Sequence, residues 1–204
     1  MSEVSAAQVR ALREQTGAGM MDCKRALSGS GGDLEKAVVY LREKGLAAAA
    51  KRSARVASEG LVASYIHAGG KIGVLIELNC ETDFVARTPE FQTLAKDLTM
   101  QVAAASPRWV RREEIPADTI EAERKIYHAQ ASGSGKPPAV IEKIVDGKLV
   151  KFFADTCLLE QPFIKDPQRT VGQLVTDTIA KIGENVVVRR FARFQLGELT
   201  ETAA

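Results

Sequence analysis

Residues 59–78, with the sequence EGLVASYIHAGGKIGVLIEL, decide the fold class of this chain. Apolar side chains alternate with small or polar ones on both sides of the turn Ala68-Gly69-Gly70. A period of two is typical of strands that bury one face, and a glycine pair between two such runs favours a tight turn. The alternating positions are Leu61, Ala63, Tyr65, Ile72, Val74, Ile76 and Leu78. The stretch therefore predicts a β-hairpin.

The chain that follows the hairpin is patterned mainly for helices. Thr88-Pro89-Glu90 is a helix start with proline at the first helical position, and one apolar face continues to Ala105, so this helix is expected to cover the hairpin. Two charged helical stretches, 118–131 and 139–153, are joined by residues 132–138, Ser-Gly-Ser-Gly-Lys-Pro-Pro. They predict a helical hairpin, at about 118–153, that projects from the core.

The C-terminal part predicts one more helix and a third strand. Thr170 with Gln173 caps a helix that runs toward Ile182, and residues 186–196 are rich in β-branched and aromatic side chains. Residues 59–204 are therefore expected to form one α/β core domain with a small antiparallel sheet. With the helical N-terminal part, this is the α+β class.

Three short helices are predicted within residues 1–46. Ser5 with Gln8 is a capping box, Asp33 caps the third helix, and Gly45 lies where that helix is expected to end. The alanine-rich, basic segment 47–58 has almost no large apolar side chain, so we interpret it as a helical linker. The alternative is a basic arm that touches RNA through Lys51, Arg52 and Arg55, but no aromatic residue is interleaved with these charges.

Composition excludes several classes of protein. Of 204 residues, 28 are Lys or Arg and 26 are Asp or Glu, and a net charge of +2 gives no long-range attraction to nucleic acid. The start Met1-Ser-Glu-Val-Ser5 lacks the features of a signal peptide, and no apolar run reaches the roughly 20 residues of a membrane helix. Cys23, Cys80 and Cys157 are odd in number and far apart, which argues against a disulfide framework or a zinc site. We expect a cytoplasmic protein without membrane contact.

No catalytic constellation is recognisable. His67 ends a strand beside a glycine turn, where a structural or surface role is favoured, and His128 lies on a charged helix. Two glycine stretches, 17–19 before Lys24 and 133–135 before Lys136, lack the preceding strand and the Ser or Thr after the lysine that a phosphate loop needs. The sequence predicts no enzyme activity, no metal and no bound cofactor.

Two segments are unusual for a scaffold. In residues 12–27, Met20 and Met21 follow a glycine turn, and they suit either a flexible contact surface or the core of a small bundle. In residues 77–87, Phe84 lies just past the alternating pattern, where it either packs into its own core or is exposed as a wedge for a partner.

Both segments together resemble the two signature regions of the bacterial elongation factor Ts family. The resemblance covers nearly the whole chain and includes further motifs in the same order. These are Ser64-Tyr-Ile-His67, Ser132-Gly-Ser-Gly-Lys136-Pro137, Gln161-Pro-Phe163, Thr170-Val-Gly-Gln-Leu174 and Lys181-Ile182-Gly183-Glu184-Asn185 with Arg189-Arg190.

The resemblance implies a guanine-nucleotide exchange factor of translation elongation that binds elongation factor Tu, first with GDP and then in a nucleotide-free complex. It implies a ubiquitin-associated-like bundle that grips the GTPase domain, and a loop, Thr82-Asp83-Phe84-Val85, that acts near the GTPase Mg²⁺. Phe84 is expected as the wedge and Asp83 as the polar partner that disturbs metal coordination. Further partner-binding positions that match the family are Arg13, Met20, Met21, His67, Ile182 and Gly183.

Longer members of the family hold two copies of the core unit, whereas this chain has one Thr-Asp-Phe-Val loop and one Ile-Gly-Glu-Asn stretch. It therefore resembles the short form, and we expect a homodimer in which each subunit supplies the missing half. The alternative is a protein-binding module or dimerisation scaffold without exchange activity, in which Asp83 and Phe84 would be dispensable for nucleotide release.

Overall fold

The computed structural model describes residues 4–133 and 136–198. Its helices are α1 (Ala6–Thr16), α2 (Met20–Gly29), α3 (Leu34–Arg52), α4 (Asp83–Ala86), α5 (Pro89–Ala105), α6 (Ala117–Ser132), α7 (Pro138–Thr156) and α8 (Val171–Ile182). Its strands are β1 (Glu59–Ile66), β2 (Ile72–Cys80), β3 (Pro162–Phe163), β4 (Asp166–Thr170) and β5 (Val186–Gln195). The α+β class is confirmed.

The predicted hairpin and third strand form one sheet in the order β1-β2-β5. The His67 N–H donates to the Ile72 carbonyl at 2.9 Å across the turn, and the Leu196 N–H donates to the Lys71 carbonyl at 2.8 Å. Because the end of β5 thus meets the start of β2, these strands are antiparallel. One face of β2 is buried through every second residue from Val74 to Cys80, as the period of two predicted.

The chain divides into two compact units. The first combines the segment up to Gly60 with Asn79–Phe91 and Val175–Val187. The second combines Leu61–Leu78 with Gln92–Leu174 and the chain from Val188 onward. The first unit therefore unites the predicted bundle and linker with two segments of the predicted core.

Helices α1 to α3 pack around a small apolar core. Ser5 and Gln8 make both hydrogen bonds of the capping box, and Asp33 accepts from the Lys36 N–H at 3.1 Å. The buried side chains of this core are Val9, Leu12, Cys23, Ala26, Leu27 and Ala37. Gly17 ends α1 in the left-handed region, at φ 68°, where a side chain would be strained.

The predicted end of the third helix at Gly45 is wrong. Helix α3 continues to Arg52 and includes six residues of the segment interpreted as a linker, 47–52. A Cβ on Gly45 would lie 3.1 Å from the Cβ of Ala180 in α8. The glycine therefore permits the close approach of two helices and does not supply a left-handed cap.

Helices α6 and α7 form the predicted helical pair in the second unit. They bury Ala131, Ile141, Val145 and Leu149 between them, and Arg124 on α6 pairs with Asp146 on α7 at 2.9 Å. Ser134 and Gly135 of the predicted connection lie outside the described residues.

The two-stranded antiparallel sheet of β3 and β4 was not predicted. The strands are short, β3 begins at Pro162, and β4 alternates no apolar side chains. Their position is fixed by the buried Gln101 of α5, whose amide donates to the Pro162 carbonyl at 3.2 Å and accepts from the Ile164 N–H at 2.9 Å.

Two helical glycines of the second unit provide a matched stability test. A Cβ on Gly172 in α8 would lie 2.8 Å from the Leu159 carbonyl oxygen, whereas a Cβ on Gly147 in α7 would meet nothing within 4 Å. We expect Gly172→Ala to lower the free energy of unfolding by about 1–3 kcal/mol through overpacking. Gly147→Ala should raise it by about 0.5–1 kcal/mol through helix propensity. Urea denaturation of both variants measures this, and equal effects would contradict the packing argument.

Candidate functional site

The loop between β2 and α5 exposes the aromatic residue singled out in the sequence. The one-turn helix α4 carries Phe84, which is 78% exposed, whereas Phe91 at the start of α5 is fully buried. The interpretation in which Phe84 packs into its own core is therefore wrong. Val85 is half-buried and Ala86 is buried, so α4 keeps one side in the first unit and holds Phe84 in solvent.

Asp83 stands beside Phe84 on the same turn. Its carboxylate pairs with the Arg87 guanidinium at 2.7 Å; the Arg87 side chain is largely in solvent and that of Asp83 is half-exposed. An exposed pair at positions i and i+4 contributes only about 0.3–0.5 kcal/mol. Asp83 can therefore exchange Arg87 for another partner at little cost.

Thr82 anchors this loop from inside the first unit. Its N–H donates to Glu184 Oε2 at 3.0 Å, and its Oγ1 donates to Glu184 Oε1 at 2.8 Å. The Cys80 thiol donates to the Thr82 carbonyl at 3.1 Å. Burial, and then the charge of Glu184, raises the pKa of the Cys80 thiol, so the thiol stays protonated and remains a donor.

The segment that holds Thr82 is itself fixed by a buried amide. Asn185 is 2% exposed; its side chain donates to the Arg55 carbonyl at 2.8 Å and its N–H donates to Glu81 Oε1 at 2.7 Å. Glu81 also faces the Arg55 guanidinium at 3.5 Å. The chain after α3, the loop before α4 and the turn after α8 are thereby joined.

The two methionines lie on the surface of the N-terminal bundle. Met20 and Met21 in the first turn of α2 are 49% and 66% exposed, so the alternative in which they fill the bundle core is wrong. Next to them, the pKa of Asp22 is lowered, first by a hydrogen bond from Lys44 on α3 at 2.7 Å and then by Arg25. Arg13 is exposed in the last turn of α1.

The remaining predicted positions are distributed over both units. Ile182 and Gly183 are half-buried at the end of α8, where Gly183 has a φ of 89°. Lys181 before them packs its side chain beside Gly17 in the first unit and pairs with Glu90 at 3.4 Å. His67 belongs to the second unit and is exposed, with its Nδ1 2.9 Å from Tyr65 Oη.

Sequence reasoning named no role for four residues of this site: Glu81, Lys181, Glu184 and Asn185. Lys181, Glu184 and Asn185 belong to a single quoted motif, but its pattern gave no sign that Glu184 bonds to a loop 102 residues away. Their only sequence signal is that they are polar residues near helix ends, and this signal does not indicate their partners.

The described part of the chain contains no group of three or more His, Cys, Asp or Glu side chains placed to hold a metal ion. Within residues 4–133 and 136–198, no helix combines the length and apolar character needed to cross a membrane. What the site offers is an exposed aromatic and an acidic side chain on an anchored loop, together with two adjacent exposed methionines. Exposed aromatic and methionine side chains of this kind are typical of surfaces that contact another protein.

The comparisons with known proteins are specific. The family model described as Elongation factor TS matches residues 32–198. Elongation factor Ts of Desulforamulus reducens is 61% identical over 198 residues, covering 97% of this chain and 91% of that protein. Elongation factor Ts of Geobacter sp. (strain M21) is 63% identical over 195 residues, covering 96% and 90%. The chain belongs to the elongation factor Ts family.

The exposure of Phe84 predicts that this side chain does not stabilise the fold. We expect Phe84→Ala to change the free energy of unfolding by less than about 0.5 kcal/mol. Phe91→Ala, seven residues away and fully buried, should lower it by about 3–5 kcal/mol. Thermal and urea denaturation compare the two variants, and a large loss for Phe84→Ala would mean that this ring packs in the core.

Proposed function

We propose that this protein binds elongation factor Tu in its GDP-bound form, disturbs its Mg²⁺ site with the Asp83-Phe84 tip, and so promotes release of GDP. As a member of its family it is a guanine-nucleotide exchange factor of translation elongation. The observation that carries the mechanism is the exposure of Phe84, at 78%, on a loop whose first residue is fixed.

Burial of the Phe84 ring would stabilise the complex but not the free protein, in which the ring is exposed. Burying a phenylalanine side chain contributes about 1.5–3 kcal/mol, which is unused while the ring stands in water. The ring can be buried only in a form of the GTPase whose pocket is open. Its burial therefore stabilises the open form relative to the closed one. Bound GDP depends on Mg²⁺ and a phosphate loop, so a pocket that displaces the metal weakens the nucleotide.

Asp83 provides the polar part of the same action. Its weak pairing with Arg87 leaves the carboxylate available. A carboxylate brought near the Mg²⁺ site competes for the metal or for the groups that orient its ligands. Thr82 and Val85 frame the tip on either side, and we assign all four residues to Mg²⁺ dislocation.

The N-terminal bundle is proposed as a second contact surface. Arg13 with Met20 and Met21 presents a charge beside flexible apolar side chains, which adapt readily to a partner. We assign residues 1–46 to a ubiquitin-associated-like bundle, 47–58 to a linker and 59–204 to the core domain. Ile182, Gly183 and His67 are proposed as further partner-binding positions.

Exchange by this route needs neither a covalent step nor a cofactor. By linkage, a factor that weakens GDP binding is weakened by GDP to the same extent, about 1.4 kcal/mol for each tenfold. The reaction therefore passes through a nucleotide-free complex, from which GTP or GDP displaces the factor. The near-neutral net charge of +2 supports action without direct nucleic-acid binding, and a role in translation elongation supports a cytoplasmic location.

A homodimer would complete the contact set of this single-core chain. The face of the sheet opposite the buried one carries four exposed apolar side chains in the second unit: Val62, Ile66, Leu75 and Phe194. Ile66 packs over Gly73 on this face, where a Cβ would lie 3.2 Å from Ile66 Cδ1. We propose that a second copy covers it, and that His67 contacts elongation factor Tu from the partner subunit.

Release of a fluorescent GDP analogue from elongation factor Tu, followed by stopped flow, tests the exchange mechanism. We expect the wild-type protein to accelerate release and Phe84→Ala to lower the maximal rate about 10–100-fold, as the loss of one buried phenylalanine predicts. Asp83→Ala should also slow release, and its deficit should shrink when Mg²⁺ is chelated. Ile126→Ala removes an exposed apolar side chain of α6 and should leave the rate unchanged.

No acceleration by the wild-type protein would contradict the exchange mechanism and favour a binding module or dimerisation scaffold. Full activity of Phe84→Ala would refute the wedge alone.

Light scattering at micromolar concentration tests the homodimer. We expect a mass twice the 22.0 kDa of one chain, and a monomer for Leu75→Asp, because a carboxylate would be buried in an apolar interface. Val150→Asp changes an exposed valine on α7 and should remain dimeric. A monomeric wild-type protein would contradict the proposal.

A further inference from the structure

We propose that Glu184 is the positioning residue of the exchange loop: its carboxylate holds Thr82 so that Asp83 and Phe84 are presented to the GTPase in one fixed orientation. This proposal rests on the exchange mechanism above and assigns to Glu184 a role that it exerts through Thr82.

The first observation is that the side chain of Thr82 does not cap α4. It occupies the N-cap position of α4 with extended backbone angles, φ −130° and ψ 153°, yet its side chain makes no capping hydrogen bond. The hydroxyl donates instead to Glu184 Oε1 at 2.8 Å. A threonine at an N-cap ordinarily accepts from the first turn of its own helix. The side chain is therefore committed to Glu184.

The second observation is that α4 has only four residues. A single turn is unstable in water by itself, because nucleation of a helix is unfavourable. The orientation of Phe84 therefore depends on the contacts that fix the two ends of α4. At the N-terminal end, Glu184 binds both the N–H and the hydroxyl of Thr82. These two hydrogen bonds restrict rotation of both the backbone and the side chain of Thr82.

The third observation is that the contact is reciprocal. Glu184 accepts from the Thr82 N–H at 3.0 Å, while Glu81 accepts from the Asn185 N–H at 2.7 Å. The segments 81–82 and 184–185 thus each supply one carboxylate and one backbone N–H to the other. A shift of one segment along the other would break bonds in both directions. Arg55, 3.5 Å from Glu81, offsets part of the negative charge gathered here.

These contacts bring a fixed residue next to an exposed tip. All polar groups of Thr82 have partners, because its carbonyl accepts from the Cys80 thiol. The next residue, Asp83, is half-exposed and Phe84 is almost entirely in solvent. Preorganisation of this kind lowers the entropic cost of inserting the tip. Because the proposed bundle contact is separate from the tip, loss of this preorganisation should affect the rate of exchange at saturation more than the affinity.

Glu184→Ala tests this role through the dependence of GDP release on factor concentration. We expect the maximal rate to fall about tenfold and the half-saturating concentration to change less than about threefold, because Arg13, Met20 and Met21 are unaltered. Glu184→Gln should restore most of the rate, since its carbonyl can accept from the Thr82 N–H and its amide can donate to the hydroxyl.

A second variant tests the same contact in case Glu184→Ala does not fold. Thr82→Val loses only the hydroxyl and should lower the maximal rate about threefold in the wild-type background. It should cause no further loss when combined with Glu184→Ala, because the hydroxyl then has no carboxylate to bind.

Amide hydrogen exchange of the free protein gives a readout independent of elongation factor Tu. In Glu184→Ala, exchange across residues 82–88 should accelerate at least about tenfold, and Glu184→Gln should reverse this. Glu160→Ala is the control: it removes a partly buried glutamate that pairs with Arg112 in the second unit, and it should change neither measurement.

The outcomes separate the two proposals. If the wild-type protein fails to accelerate GDP release, the exchange mechanism fails, and amide exchange alone decides whether Glu184 fixes the loop. If the wild type is active but Glu184→Ala keeps its maximal rate, or loses rate without faster amide exchange at 82–88, the positioning role is overturned while the exchange mechanism stands.

Discussion

A buried asparagine holds together the segments on which the first unit depends. Asn185 is almost inaccessible to solvent, and its side chain and backbone donate to Arg55 and Glu81. A buried amide without partners would cost about 1–3 kcal/mol, so the three segments it joins must keep their positions for the fold to be stable. Glu184, the neighbouring residue, then meets Thr82 without further adjustment.

This arrangement separates the anchored part of the candidate site from the part exposed to solvent. Hydrogen bonds hold Thr82 from inside, whereas Phe84 and Asp83 make few contacts of their own. The side chains of Phe84 and Asp83 therefore contribute little to the stability of the free protein. The same division occurs on the bundle, where Cys23, Ala26 and Leu27 of α2 form the core and Met20 and Met21 stay on the surface.

Close packing of helices sets a further constraint in the first unit. Gly45 allows α3 to approach Ala180 of α8, and Gly17 receives the side chain of Lys181. Both glycines come from segments whose sequence indicated only helix ends. At Gly17 the turn and the contact coincide, whereas at Gly45 the need for close approach overrides the low helix propensity of glycine.

The sequence by itself determined the elements whose signals are local: the hairpin of residues 59–78, the caps at Ser5 and Asp33, and the helices that flank the glycine-containing connection. These depend on side-chain periodicity and on hydrogen bonds within a few residues. Family resemblance added the loop Thr82–Val85 as a candidate site. Only the tertiary structure decided that Phe84 and the methionines are exposed, that α3 passes through Gly45, and that Glu184 holds Thr82. Exposure and hydrogen bonds across a hundred residues depend on which segments meet in space, and no local pattern encodes that.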